Sequence, residues 1–164
     1  MIVLGIDPGT ADTGFGVVHS TGSRLRALAN GVIQTRAGVP VERRLADIHS
    51  AVGELLDQHR PDAVAIEELY FGANARTAFA VGQARGVVLL AAGQRGLPTH
   101  SYTPQQVKAA VCGHGRADKH QVARMVARLL GLSVPPDSDH AADALAVAIC
   151  QCNRAPLAQA VAAS

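Results

Sequence analysis

Ile2-Val3-Leu4-Gly5-Ile6-Asp7-Pro8-Gly9-Thr10 is the stretch on which the reading of this chain turns. Five residues without a polar side chain run into an acid, and Pro8-Gly9 then breaks the run. The segment therefore reads as a buried strand that delivers a carboxylate at its carboxyl end and turns back. Thr13–His19, with glycines at 14 and 16 and valines at 17 and 18, reads as the returning strand, and Leu25–Thr35 as a third. Together they predict an N-terminal antiparallel meander.

The period then changes. Leu45, Ile48, Val52, Leu55 and Leu56 fall at helical spacing with charged residues largely between them, so Val41–His59 is a helix that Pro61 closes. Asp62–Leu69 is a fourth strand, ending in Glu67-Glu68. Asn74 can cap a long second helix to about Gln94, with Gly96 near its end. Thr99–Tyr102 is a short fifth strand, and Gln105–Val111, Lys119–Leu130 and His140–Cys150 are further helices. This order predicts an α/β layer architecture with a mixed five-stranded sheet flanked by helices.

Composition bounds what the chain can be. Its 164 residues suit one domain spanning 1–164, with an Ala-rich tail after Arg154 that is either helical or frayed. Hydrophobic residues make up 48% and aromatics only 3%, so the core is aliphatic; charged residues at 17% are too few for a disordered chain. A net charge of +2 does not by itself demand a polyanion partner. The opening apolar run meets Asp7 too soon for a signal peptide, and Arg85 and Arg95 bound the most apolar stretch, so no membrane span is expected. Three cysteines, Cys112, Cys150 and Cys152, fit a reducing compartment, hence a cytoplasmic protein, and do not make a zinc site with His114.

Three acidic segments carry the chemistry. Asp7 and Glu67 sit at the carboxyl ends of two strands, where open α/β sheets place their sites. Adjacent in the sheet, two such carboxylates repel unless one is protonated or both share a hard cation. The plainer alternative for Asp7 is a turn residue before Pro8-Gly9, and alternation sends Glu67 and Glu68 to opposite faces without saying which meets the site. In Asp137-Ser138-Asp139-His140-Ala141-Ala142-Asp143, His140 and Asp143 share a helix face, and Ser138 or Asp139 can cap. Asp143 is harder to assign to structure alone, because a lone charge in an otherwise apolar helix costs free energy unless paired. The small alanines beside it allow close approach to the sheet.

These residues resemble the RuvC family of bacterial Holliday-junction resolvases. The resemblance lies in Gly5-Ile6-Asp7-Pro8-Gly9-Thr10, Ala65-Ile66-Glu67, Gly82-Gln83-Ala84-Arg85-Gly86, Tyr102-Thr103-Pro104-Gln105-Gln106-Val107-Lys108 and Ala141-Ala142-Asp143-Ala144-Leu145-Ala146, in family order and across nearly the whole chain. It implies a ribonuclease-H-like fold, a homodimer, and divalent-metal-dependent endodeoxyribonuclease activity: paired symmetric nicks in four-way junction DNA, leaving 5′ phosphates, in recombination and repair. Asp7, Glu67, His140 and Asp143 fall on the family's catalytic, metal-binding positions, with Glu67 rather than Glu68 matching. Many members carry Asp where this chain has His140. Imidazole is a poorer Mg²⁺ ligand than carboxylate and takes Mn²⁺ more readily, so the cofactor is Mg²⁺ or Mn²⁺, with two ions expected per site. Whether His140 ligates or accepts a proton, and whether Asp139 joins the site, stays open.

The charges from Lys108 to Arg128 are Lys108, Arg116, Lys119, Arg124 and Arg128 against Asp118 alone, a stretch suited to phosphate contacts. Lys108 and Lys119 resemble the family's functional lysines, and Arg76 can also face DNA. Tyr70 matches an aromatic that in the family stacks on a base at the crossover, with Phe71 as the alternative. Phe79, Val81, Gly82, Gly86, Val87 and Leu90 give the second helix a small, apolar surface; the family dimerises through this region, and membership implies the RuvA and RuvB branch-migration proteins as partners. Three rivals remain: a nucleotide-binding relative of actin-like ATPases, for which the chain is too short; a non-catalytic junction-binding dimer with a decayed site; and another nuclease of the same fold.

Overall fold

The computed structural model describes residues 1–68 and 75–162, with side chains described over 1–68 and 77–155. Chain order is β1 (Ile2–Asp7), β2 (Asp12–Thr21), β3 (Arg24–Gln34), α1 (Val41–His59), β4 (Ala63–Glu67), α2 (Ala75–Gly93), β5 (Thr99–Tyr102), α3 (Pro104–Cys112), α4 (Lys119–Leu130) and α5 (Asp139–Ala162). The strands form one sheet in the order β3-β2-β1-β4-β5. β1, β2 and β3 pair antiparallel as the meander, while β4 and β5 join parallel to β1, so the sheet is mixed as expected.

Alternation along the strands divides the core into two layers. Leu4, Ile6, Val64 and Ile66 point to one face and bury against Ile48, Val52 and Leu56 of α1 and Ala84, Val88 and Ala91 of α2. Val3 and Ala65 point to the other face, covered by Val107, Val111, Val122, Val126 and the apolar face of α5. Asp7 and Glu67 continue the second set, two residues beyond Gly5 and Ala65. Both carboxylates therefore emerge on the face that α5 covers. Glu68 falls outside β4; it is exposed, and its N–H donates to the Tyr102 carbonyl at 2.8 Å.

α5 lies almost directly on the backbone of β1 and β2. A Cβ at Gly5 would stand 2.0 Å from the Ala144 carbonyl oxygen, one at Gly14 2.0 Å from the His140 carbonyl oxygen, and one at Gly16 2.7 Å from Leu145 Cγ. Gly5 pairs with Gly16 and Asp7 with Gly14, so these glycines form a bare strip across two strands. The helix alanines permit close approach, as the sequence suggested; the strand glycines are the half of that contact it left unread.

Sharp caps fix the helices that flank the site. Thr103 and Gln106 form a capping box at the start of α3, with Pro104 in its first turn, and Asp118 and Gln121 form another that starts α4 at Lys119. Ser138 Oγ accepts the His140 N–H at 3.2 Å, so Ser138 caps α5. Helix α5 runs well past the expected end at Cys150, through the Ala-rich tail to Ala162. Among the described residues no helix is long and apolar enough to cross a membrane. Asn74, the expected cap of α2, lies outside the described residues.

Candidate active site

The parallel pairing of β1 with β4 sets Ile6 beside Ile66, which brings Asp7 and Glu67 to neighbouring strand ends. α5 crosses this edge one turn into its length and adds His140 and Asp143. α3 and α4 close the other side with Lys108 and Lys119, over an apolar floor of Pro104, Val107 and Val122. These nine residues line one cleft of about 370 Å³. Sequence reading missed the floor: its residues carry no chemistry of their own, and only α3–α4 packing brings them here.

Asp7 is the most enclosed acid, its side chain 18% exposed. His140 Nδ1 lies 2.7 Å from Asp7 Oδ2 and is the hydrogen-bond partner of that carboxylate. Burial raises the Asp7 pKa, opposed by the hydrogen bond and charge of His140 and by the charge of Lys119. Burial also pushes Glu67 up to about 7, helped by Asp7 and Asp143 and opposed by Lys119 and Lys108. Asp143 rises to about 6, first through burial and then through Asp7 and Asp139, with Lys119 and His140 pulling it down. Three carboxylates thus share a desolvated space in which they resist ionising together. Asp139 stands at the rim, 3.8 Å from Lys119 Nζ with both side chains largely exposed, a pairing of little energetic weight.

The donor set suits a hard divalent cation: three carboxylates and an imidazole, with no thiolate. Among the described residues the side chains of Glu67 and Asp143 have no hydrogen-bond or ion-pair partner, although both are more than half enclosed. Buried carboxylates ordinarily find donors, and a cation would supply what these two lack. Among the described residues no three acidic, His or Cys side chains already stand arranged to hold an ion. Asp7 is turned to His140, so holding an ion requires the side chains to rotate inward.

The turn after Asp7 is braced from behind. Arg44 of α1 donates to Thr35 Oγ1 at 2.7 Å and to the Thr10 carbonyl at 2.9 Å, and Thr35 donates to the same carbonyl at 2.5 Å. Buried Thr13 donates to the Gly9 carbonyl at 2.5 Å. No local pattern marks Arg44 for this role, because its partners lie 9 and 34 residues away. Tyr70 and Phe71 lie outside the described residues, and Arg76 is described only as a backbone position in α2.

The family model described as "Crossover junction endodeoxyribonuclease RuvC" matches residues 3–151 of the chain. The chain belongs to the RuvC family. Relatives named as RuvC crossover junction endodeoxyribonucleases include one from Moorella thermoacetica, 53% identical over 159 residues that cover 97% of this chain and 95% of the relative. Another, from Thermomicrobium roseum, is 55% identical over 150 residues, covering 92% and 91%. The structure of Thermus thermophilus RuvC in complex with Holliday junction substrate superposes with a TM-score of 0.92 at 43% identity, over 96% of each chain. The expected ribonuclease-H-like α/β fold is therefore the RuvC fold, and the family is one of metal-dependent endodeoxyribonucleases.

Proposed function

We propose that this RuvC-family chain resolves four-way DNA junctions by nicking two strands symmetrically in a reaction that needs a divalent metal ion. One observation carries the reading: Asp7, Glu67, Asp143 and His140 converge with Lys108 and Lys119 on one open cleft at the carboxyl edge of the sheet. That cleft occurs in a chain 43% identical to a RuvC solved with its Holliday junction substrate.

Asp7, Glu67 and Asp143 would hold Mg²⁺ or Mn²⁺, with two ions expected per site. Bound there, the metal supplies a nucleophilic water at neutral pH and stabilises charge on the phosphodiester. The remaining tasks belong to the chain. Lys108 and Lys119 draw a backbone phosphate into the cleft and offset the charge that grows on it. If one Asp7 oxygen keeps its contact with His140 Nδ1 while the other turns to the metal, His140 Nε2 would be free to take a proton from the attacking water. In the same position His140 is also able to ligate, and Mn²⁺ would favour that arrangement. Hydrolysis would leave a 5′ phosphate.

Symmetric nicking calls for two sites. Phe79, Leu89 and Leu90 are exposed on α2, and Cβ atoms at Gly86 or Gly93 would meet open space, so this helix offers a second copy a close-packing surface. RuvA and RuvB enter as partners on family grounds alone, as does stacking by Tyr70 and DNA contact by Arg76. The test is cleavage of a synthetic four-way junction, with linear duplex as control, in Mg²⁺ and in Mn²⁺. Paired nicks in the junction alone support the reading. Tight binding without cutting in either metal would favour a decayed site, and cutting of flaps or RNA–DNA hybrids instead would make this another nuclease of the same fold.

A further inference from the structure

The basic stretch between Lys108 and Arg128 does not act as one patch. Between 105 and 131 it carries five cations and one acid, a net +4 against +2 for the whole chain. α4 divides these charges. Its buried side presents Val122, Val126, Ala127 and Leu130, and its first residue, Lys119, enters the catalytic cleft. Its opposite side carries Arg124 and Arg128, both exposed. There, against the end of α3, lies a second groove of about 400 Å³ lined by Cys112, His114, Gln121, Arg124, Met125 and Arg128.

Among the described residues nothing neutralises that groove. No acid lines it, and among the described residues Arg124, Arg128 and His114 have no ion pair or hydrogen bond. The nearest acid in sequence, Asp118, is occupied capping α4, where it accepts the Gln121 N–H at 2.8 Å. Two arginines at i and i+4 repel each other on a helix face. Arg128 gains something from the helix C-terminus, but Arg124, a turn earlier, does not. At a rise of ~1.5 Å per residue they stand ~6 Å apart along the axis, so both can face one stretch of phosphate backbone. They also lie ~7.5 and ~13.5 Å along the helix from Lys119, beyond the cleft where a strand would be cut.

We propose that this outer groove of α4 is a second phosphate-binding site, which grips the backbone of a duplex arm leading away from the crossover. The inference rests on the junction-cutting reading and adds to it where the arms are held. Contacts of this kind position DNA without reading its sequence.

The test compares wild type, R124Q/R128Q and R124K/R128K, binding fluorescent four-way junctions with long or short arms in EDTA across a KCl titration. Two lost phosphate contacts lower the slope of log affinity against log salt by ~1.8, which is roughly a 60-fold weaker affinity at 0.1 M relative to the 1 M extrapolation. The glutamine pair should show that loss on long arms and little further loss on short ones, while the lysine pair keeps the wild-type slope. An unchanged slope and affinity in the glutamine pair, with wild type binding and cutting junctions normally, overturns the groove alone. Failure of wild type to bind any junction overturns the junction-cutting reading and the groove with it.

Discussion

Replacing Glu67 with Gln should abolish cutting and stabilise the metal-free protein. In the unfolded chain the Glu67 carboxyl ionises near its ordinary 4.5, whereas in the cleft burial, Asp7 and Asp143 hold its proton until about 7. A raised carboxyl pKa contributes its full stability below the unfolded value and loses it as pH climbs through the folded one. Wild type should therefore weaken between about pH 4.5 and 7, and the ionised Glu67 should cost at most ~3.4 kcal/mol by pH 8, roughly 2–3 kcal/mol once its partial exposure is discounted. Glutamine keeps the shape and never ionises. With ~2–4 °C of melting temperature per kcal/mol at this chain length, Glu67→Gln should melt roughly 4–12 °C above wild type at pH 8 and close to it at pH 4.5. Thermal unfolding by circular dichroism in EDTA at several pH values reads this directly. Saturating Mg²⁺ or Mn²⁺ should close the gap by stabilising only wild type. A gap that does not change with pH, or a variant less stable than wild type at pH 8, would refute the crowding of carboxylates on which the metal argument depends.

Other consequences can be checked independently. His140→Asp should shrink any advantage of Mn²⁺ over Mg²⁺ in junction cutting, because a carboxylate is the better Mg²⁺ ligand; an unchanged ratio would take His140 out of the metal's surroundings. Gly5→Ala places a Cβ 2.0 Å from the Ala144 carbonyl oxygen, so α5 must shift; a loss of 3 kcal/mol or more on chemical denaturation is expected, and less than ~1 kcal/mol would mean the strip is looser than drawn. Arg44→Ala removes the donors to Thr35 and Thr10 and should cost about 1–3 kcal/mol, together with a higher metal concentration for half-maximal cutting; lost stability without that metal shift would make the brace purely structural.

Much of this was readable in the chain because local pattern and global fold agree. α1 is Val41–His59 in both, since its apolar residues keep helical spacing and Pro61 ends it; β5 and α4 also fall where expected. The tail was not readable: an Ala-rich stretch has helix propensity but no periodicity to mark its end, and Pro156 argues for a stop there, yet α5 continues to Ala162. Alternation alone leaves Glu67 and Glu68 open and the resemblance favours Glu67; the physical reason is the register of β4 on β1, which sets Ala65 beside Gly5 and so gives Glu67 the face of Asp7. The Asp7–His140 contact joins residues 133 apart and depends on how closely α5 settles on Gly5, Gly14 and Gly16. Glycines in a strand pattern are the signal that would have revealed that approach.

The most direct test of the account pairs wild type with Asp7→Asn on one synthetic four-way junction, measuring binding and strand scission together in Mg²⁺ and in Mn²⁺. The account predicts paired symmetric nicks by wild type, and undiminished binding with no scission by Asp7→Asn in either metal. Normal scission by Asp7→Asn would contradict it, because the enclosed carboxylate at the end of β1 would then have no part in the chemistry.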